Sequence, residues 1–257
     1  MVSNQDSRPT GASAAPGYYP TSPVEVGHIA PVPRRIRATW QDRVVLDTTR
    51  ATYVWEHPYY PQFYIPSADV DAELLVDTGE VQQSDLGPVT IRSLVLGDQR
   101  VDRAARFLEQ ATVTGLDHTY RFEWSALDRW FEEDEEVFGH PRSPYVRVDA
   151  LRSRRRVRVE KDGVLLAEST SPVAVFETGL PTRWYLDRTA VNWEHLVATD
   201  TQTRCPYKGL TSEYWSVVTP EGQYDDVVWS YNFPTRHLQP IAGLVAFYNE
   251  KVDLTVA

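Results

Sequence analysis

The chain has 257 residues, a formal net charge of −10, a single cysteine, and 42% hydrophobic residues that include 8 Trp and 14 Tyr. One cysteine excludes an internal disulfide and a cysteine-built zinc ribbon, and the acidic balance argues against a general nucleic-acid or anionic-membrane surface. There is no apolar run of membrane-spanning length and no basic start with an apolar core, so the expectation is a soluble cytoplasmic protein that binds neither nucleic acid nor membrane.

Residues 1–33 are rich in Ser, Pro, Gly, Ala and Thr, lack any apolar period and end in Ala30-Pro31-Val32-Pro33. They read as a disordered or loosely docked arm. From Ile36 onward the chain repeats itself from Val157 onward, a shift of 157 − 36 = 121. Arg37 falls on Arg158, Thr49 on Thr170, Glu56 on Glu177, Tyr64 on Tyr185, Val70 on Val191 and Leu75 on Leu196. Farther on, Val101–Phe107 resembles Asp225–Tyr231 and Tyr120–Phe122 resembles Val245–Phe247 at slightly larger shifts. A unit of this size is a small domain rather than a solenoid repeat. The expected organisation is a first repeat domain at 34–124, a linker at 125–152 and a second repeat domain at 153–257.

In the linker, Trp124, Leu127 and Phe131 fall at helical spacing with Ser125 as a candidate N-cap, which predicts a short helix running into the acidic stretch Glu132–Glu136. Pro141 and Pro144 then stop any helix. The run Arg152, Arg154, Arg155, Arg156 and Arg158 reads as a solvated linker and strand face. Within the second unit, Arg156–Glu160, Asp162-Gly163 and Val164–Ala167 carry the alternation and two-residue turn of a β-hairpin. Further strands are predicted at Val173–Glu177, Arg183–Leu186, Tyr214–Val218 and Val227–Tyr231, and His237–Tyr248 reads as a short helix leading toward a last strand at Lys251–Val256.

The richest chemical stretch is Cys205-Pro206-Tyr207-Lys208-Gly209. Pro and Gly bracket a phenol and an ammonium, so a turn would present both side chains at the edge of a domain. At the same shift of 121 it lies on Ser84-Asp85-Leu86-Gly87-Pro88, which keeps only a hydroxyl. This difference between copies points to a site in the second. A free cysteine is ordinarily a small buried hydrophobe, and becomes reactive only beside a cation such as Arg204 or Lys208. Glu177 has a counterpart in Glu56, and a shared structural task such as bonding loop amides stands beside a polarising role. Tyr185 and its counterpart Tyr64 fit a core as well as a ligand wall. Trp229, Tyr231 and Tyr248 have weaker counterparts and could line an aromatic pocket beside Lys208. Asp225-Asp226 reads as the polar edge of a turn, with a carboxylate metal site as the alternative, and the six histidines show no ligand spacing. No P-loop, dinucleotide fingerprint, nucleophile elbow or zinc-deaminase pattern is present.

The segments Phe176–Tyr185, Cys205–Gly209, Trp229–Tyr231 and Ile241–Tyr248, together with Phe138–Tyr145 between the units, resemble a tandem member of the domain-of-unknown-function family numbered 427, which also carries a nucleotidyltransferase-like label. The resemblance implies a mainly β (α+β) fold: two tandem small β-tent-like domains of antiparallel strands, each with a short helix, joined by a helical acidic linker. The transferase label implies nucleotide, divalent metal and paired acidic ligands, which this sequence does not present in recognisable form.

The expectation for function is a small-molecule pocket in the second repeat domain. Its ligand would be anionic or flat. Lys208 would anchor an anionic or carbonyl group of it, Cys205 and Glu177 would be the reactive or polarising groups if the protein is an enzyme, and Arg183, Tyr185, Tyr207, Trp229, Tyr231 and Tyr248 would be the binding residues. No metal ligand is assigned, and the sequence names no cofactor. The alternatives are metal-dependent nucleotidyl transfer through Asp225 and Asp226, and a non-catalytic interaction module built on the first repeat and the acidic linker.

Overall fold

The computed structural model describes residues 19–22 and 24–257, so most of the arm expected at 1–33 lies outside the described residues. The hairpin of Val157–Lys161 with Val164–Ser169 shows how local sequence sets structure. Val157 and Val159 alternate inward, and the turn places Asp162 at φ 51° and Gly163 at φ 75°, a pair of left-handed residues whose twist matches that of the strands. The first unit repeats the device with Gln41 at φ 50° and Asp42 at φ 58°. Both hairpins carry a register irregularity at the matching place, Val159/Glu160 and Ala38/Thr39.

The described chain divides into two units, Val24–Ser143 and Pro144–Ala257, the second of which also takes in residues 19–22. Each contains a seven-stranded antiparallel sheet. In the first unit its order is Ile29–Pro31, Thr52–Val54, Gln62–Pro66, Thr119–Phe122, Gln99–Leu108, Gly87–Leu96 and Leu75–Ser84. In the second it is Val148–Arg152, Val173–Glu177, Arg183–Leu186, Val245–Phe247, Gly222–Ser230, Glu213–Thr219 and Leu196–Thr199. The two orders correspond strand for strand, which establishes the duplication in three dimensions. The long sheet leans on a shorter one, and the main core fills the space between them. In the first unit this core joins Ile36, Ala38 and Trp130 to Tyr53, Phe63 and Ile65; in the second it joins Val157, Val159 and Leu166 to Trp184, Val217 and Phe247. The fold is thus mainly β, with two tandem domains of open antiparallel sheets as the resemblance implied, and the helical pieces among the described residues are short 3-10 turns. No helix among them is long and apolar enough to cross a membrane.

A second, smaller apolar layer covers the opposite or back face of each long sheet. In the first unit it consists of Val54, Tyr64, Val89, Ile91, Leu108 and Leu116. The second unit places Tyr185, Tyr214, Trp229 and Tyr231 there, under the 3-10 turn Arg236–Ile241 whose Leu238 and Ile241 close the layer. Alternation decides this arrangement: on one strand Val228 faces the main core while Trp229 faces the back.

The segment expected as a helical acidic linker has a different structure. Only Trp124–Ala126 forms a 3-10 turn, after which Arg129–Glu132 and Glu135–Val137 make a hairpin through Glu133 at φ 53°. Arg129–Glu132 pairs with Ile36–Trp40 just as Asp253–Val256 pairs with Val157–Lys161, so it is the last strand of the first repeat. The helical spacing of Trp124, Leu127 and Phe131 misleads because a turn followed by a strand also brings Leu127 and Trp130 into the core. The acidic run is neutralised at its own hairpin: buried Glu132 is bonded by Arg34 at 2.6 Å, and Asp134 by Arg37 at 2.8 Å. Val148–Arg152, also placed in the linker by the sequence, is an edge strand of the second unit. Ile29–Pro31, placed in the arm, is likewise an edge strand of the first unit.

The described part of the arm also has a fixed place. Tyr19 stacks on Phe176 with ring centroids 5.5 Å apart, donates its hydroxyl to Asp149 at 2.9 Å and bridges Thr178, while the Gly179 amide donates to the Tyr19 and Pro20 carbonyls.

If Arg129–Glu132 completes the first repeat, Trp130→Ala should lower unfolding free energy by about 3–5 kcal/mol in urea titrations, the ordinary penalty for truncating a buried Trp. A change close to zero would return this segment to the status of a surface linker.

Candidate functional site

Glu177 ends the strand Val173–Glu177 on the back face of the second unit, with 5% of its surface exposed. A carboxylate so enclosed needs a counter-charge. Lys208, 8% exposed, supplies it by donating from Nζ to Glu177 Oε2. The lysine arrives on the small hairpin of Arg204–Cys205 and Gly209–Leu210, whose loop is residues 206–208. Thr235 holds that loop in place: its hydroxyl donates to the Tyr207 carbonyl at 2.5 Å and its amide to the Lys208 carbonyl at 3.0 Å. At the base of the hairpin, the Thr203 amide donates to Thr211 Oγ1 at 2.7 Å.

Cys205 is half-buried, with Sγ 3.9 Å from Lys208 Nζ. Burial pushes its thiol above the ordinary cysteine value; Lys208 and the amides of Tyr207 and Lys208 pull the other way, while Glu177 adds to the rise. Burial would pull the Lys208 ammonium down, but the negative fields of Cys205 and Glu177 and the direct bond outweigh it, so its pKa lies above the usual lysine value. Both nitrogen and sulfur therefore carry their protons at neutral pH, and neither is an activated nucleophile.

Around this pair stand the aromatic residues. Tyr185 is fully buried and accepts from Trp229 Nε1 at 3.1 Å; burial pushes its phenol up to about 12. Tyr231 is 4% exposed, and its hydroxyl makes no hydrogen bond among the described residues. Burial, followed by the fields of Cys205, Tyr185, Tyr214 and Glu177, drives its pKa well above the ordinary tyrosine value. Toward the rim, Trp229 and Tyr248 pack with centroids 4.3 Å apart, and the Arg183 guanidinium lies 5.8 Å from the first ring and 5.3 Å from the second. Arg183 is fixed by a two-pronged ion pair to Glu250 at 2.7 and 2.8 Å. Tyr207 is half-buried in the loop beside Lys208.

The structure thus gathers Glu177, Cys205, Lys208, Tyr185 and Tyr231 into one centre and places Trp229, Tyr248 and Arg183 at its side. Lys208, expected as an anchor for an anionic or carbonyl group, is already paired with Glu177. Sequence reasoning left out Tyr214, whose hydroxyl lies 3.1 Å from that of Tyr248 and 3.0 Å from Thr203 Oγ1, and Glu250, which orients Arg183. The replacement of Ile91 by Tyr214 at the matching strand position was the available signal.

Comparison of the two copies corrects the ungapped alignment of the motif. Gly87 (φ 123°) and Gly209 (φ 100°) hold the same left-handed corner. A Cβ at Gly87 would lie 2.8 Å from the Gln110 carbonyl oxygen. The Thr112 amide and hydroxyl bond the carbonyls of Leu86 and Asp85 just as those of Thr235 bond Lys208 and Tyr207. Lys208 therefore corresponds to Leu86 rather than Gly87, and Pro206 is an extra residue in the second loop. Cys205 still corresponds to Ser84, whose hydroxyl accepts from the Leu86 amide at 3.3 Å, so the sulfur also takes over a loop-capping task. In the first unit Glu56 is bonded by Tyr64 at 2.9 Å and by Arg121 at 3.3 Å, so its cation comes from a sheet strand. Strand register also sets Ala105 against Val228 and Leu108 against Tyr231, one place from the sequence alignment.

Asp225 and Asp226 lie elsewhere in the second unit. Asp226 accepts from the hydroxyls of Thr199 and Thr201, both at 2.7 Å, and Asp225 accepts from Gln223 at 2.8 Å. Among the described residues no three His, Cys, Asp or Glu side chains are grouped to hold a metal. A surface cleft of about 430 Å³ opens between Lys161, Tyr224, Asp225, Lys251 and Asp253, away from Lys208.

A family model described as a domain of unknown function, DUF427, matches residues 28–133 and again residues 149–257. The chain belongs to this family. The matched segments reach Glu133 in the first DUF427 unit and begin before Val148–Arg152 ends in the second, in agreement with the strand boundaries. The comparison with curated proteins gives no match.

Lys208→Met alone should destabilise the second DUF427 unit by about 3–5 kcal/mol in denaturant titration, because it leaves a buried carboxylate uncompensated, and adding Glu177→Gln should restore most of the loss. Equal stability of the single variant and the parent would show that water reaches the pair freely. Because the Cys205 pKa is raised, less thiolate is present at any given pH than in the unfolded chain. Iodoacetamide should label Cys205 more slowly in the native protein than in urea near neutral pH, with the native rate rising only above the usual thiol range; faster native labelling would contradict the assigned environment.

Proposed function

We propose that the second DUF427 unit is a small-molecule-binding domain whose site is the Lys208–Glu177 centre, and that the first unit is a scaffold copy in which the same place has been filled. The carrying observation is the exchange of the aliphatic Leu108 of the first unit for the hydroxyl-bearing Tyr231 beside the Lys208–Glu177 pair. The exchange of Leu86 for Lys208 and Ile91 for Tyr214 replaces apolar filling with groups able to recognise a ligand. Trp229, Tyr248 and Arg183 provide a flat, polarisable side wall suited to a planar molecule.

The bonding of Asp225 and Asp226 favours this reading over metal-dependent nucleotidyl transfer, since transfer of that kind needs carboxylates convergent on a metal and free to orient phosphates. Asp226 is instead committed to Thr199 and Thr201.

Tryptophan fluorescence during titration with metabolite mixtures tests the reading. A ligand response of the parent should disappear in the Glu177→Gln/Lys208→Met double variant and persist after Arg106→Ala in the first unit; equal responses in parent and double variant would place binding elsewhere.

A further inference from the structure

The two copies differ at a second place, the open end between the long and the short sheet. In the first unit that end is closed by apolar side chains: Trp40 and Ala126 belong to the main core at 3% and 6% exposure, and Val101 packs against it. Strand register and hydrogen bonding identify the counterparts. Lys161 faces Val164 across its hairpin as Trp40 faces Arg43, and Tyr224 pairs with Val217 as Val101 pairs with Leu94. The Lys251 amide donates to the Tyr248 carbonyl as the Ala126 amide donates to that of Glu123. An indole, a methyl and an isopropyl group are thus exchanged for two ammonium groups and a phenol, and the cleft of about 430 Å³ opens among them.

Distances place both ammonium groups on one stretch of its wall. Lys161 Nζ lies 4.1 Å from the centre of the Tyr224 ring, and Lys251 Nζ donates to the carbonyls of Asp225 and Asp226 at 2.9 and 3.3 Å. Neither is ion-paired; the lysine ion pair among the described residues is that of Lys208. The carboxylates nearby are turned away or already engaged. Asp225 accepts from Gln223, two positions before it on the face opposite Tyr224, and Asp253 points outward between Val252 and Leu254, which both pack on the core. Glu250 holds Arg183 with both oxygens, and Asp162 accepts from the hydroxyls of Thr219 and Tyr224, both at 2.7 Å. Two positive charges thus share a concave site with no carboxylate directed at them.

The residue type narrows the anion. Only three of the 26 Lys and Arg residues are lysines, and two of the three line this cleft. Elsewhere among the described residues carboxylates are met chiefly by arginine, whose planar fork matches them. An ammonium is a compact point charge with rotatable donors, which suits the tetrahedral oxygens of a phosphate group and its charge of about −1.5 to −2.

We propose that this cleft is a phosphate-binding site, separate from the Lys208 centre, which takes a small phosphomonoester or inorganic phosphate between Lys161 and Lys251. An ammonium has three N–H groups. Lys251 spends two on the strand carbonyls and keeps one for the ligand, while Lys161 donates to no protein acceptor among the described residues.

The test is a two-dimensional NMR titration of the nitrogen-15-labelled full chain at constant ionic strength, with inorganic phosphate, methyl phosphate and acetate as probes. Both phosphates should shift the amides of Tyr224, Asp225, Lys251 and Val252 saturably, with acetate weaker by about threefold or more. Lys161→Met and Lys251→Met should each weaken phosphate binding about twofold to fivefold, the worth of an exposed ion pair. Lys161→Trp, which installs the residue of the first copy, should abolish the response, and Glu177→Gln/Lys208→Met should leave it unchanged. Tighter binding of methyl phosphate than of inorganic phosphate would identify a monoester as the ligand, and the reverse order would identify the free ion. Acetate binding as tightly as phosphate, a response untouched by the lysine variants, or no saturable response would each overturn the proposal.

Discussion

A carboxylate at the end of a back-face strand must be neutralised inside the protein, and this requirement organises both domains. Glu56 and Glu177 occupy corresponding places in the two copies; Glu177 is buried while the Glu56 side chain is 26% exposed, and each is met by a cation. The first copy solves the problem within the sheet, with Arg121 on the strand beside Tyr64. The second has Ala246 at the corresponding position and obtains its cation from a separate hairpin. Once the cation comes from a hairpin, the hairpin must be held down, and Thr203, Thr211 and Thr235 become structural necessities.

Moving the cation also changes what surrounds it. With Ala246 in place of the Arg121 guanidinium, the back face of the second unit has room for Tyr214, Trp229 and Tyr231, where the first has Ile91, Arg106 and Leu108. Arg106 and Arg121 of the first unit both reach Glu123, a closed charge network in a place where the second unit has aromatic rings. The two copies therefore share a fold and an ion-paired glutamate, and differ in whether the space above it is filled by ion pairs or by phenols and indoles.

The architecture was largely legible in the chain because its signals are local or internally repeated. Asp162-Gly163 specifies a turn, alternation assigns Val228 and Trp229 to opposite faces, and the gap-free match from Ile36 to Thr78 reveals the duplication before any coordinates. Trp124, Leu127 and Phe131 were misread because their spacing satisfies a helix as well as a turn followed by a strand. Membership of the centre was legible in part, since Cys205, Lys208 and Tyr231 stood out by difference from their counterparts. Their bonding was not. The Lys208–Glu177 pair spans 31 positions, the insertion of Pro206 shifts the motif alignment by one place, and the commitment of Tyr185 to Trp229 depends on side-chain geometry that no spacing rule encodes.

The docking of Tyr19 gives the second domain an unusual relation to time. Its partner Asp149 follows it by 130 positions, and Phe176 and Gly179 come later still. During synthesis Tyr19 leaves the ribosome before the first domain and meets its aromatic shelf only after the whole of that domain has been made. Tyr19 is thus seated late, and the second domain completes its surface with a residue translated before the first.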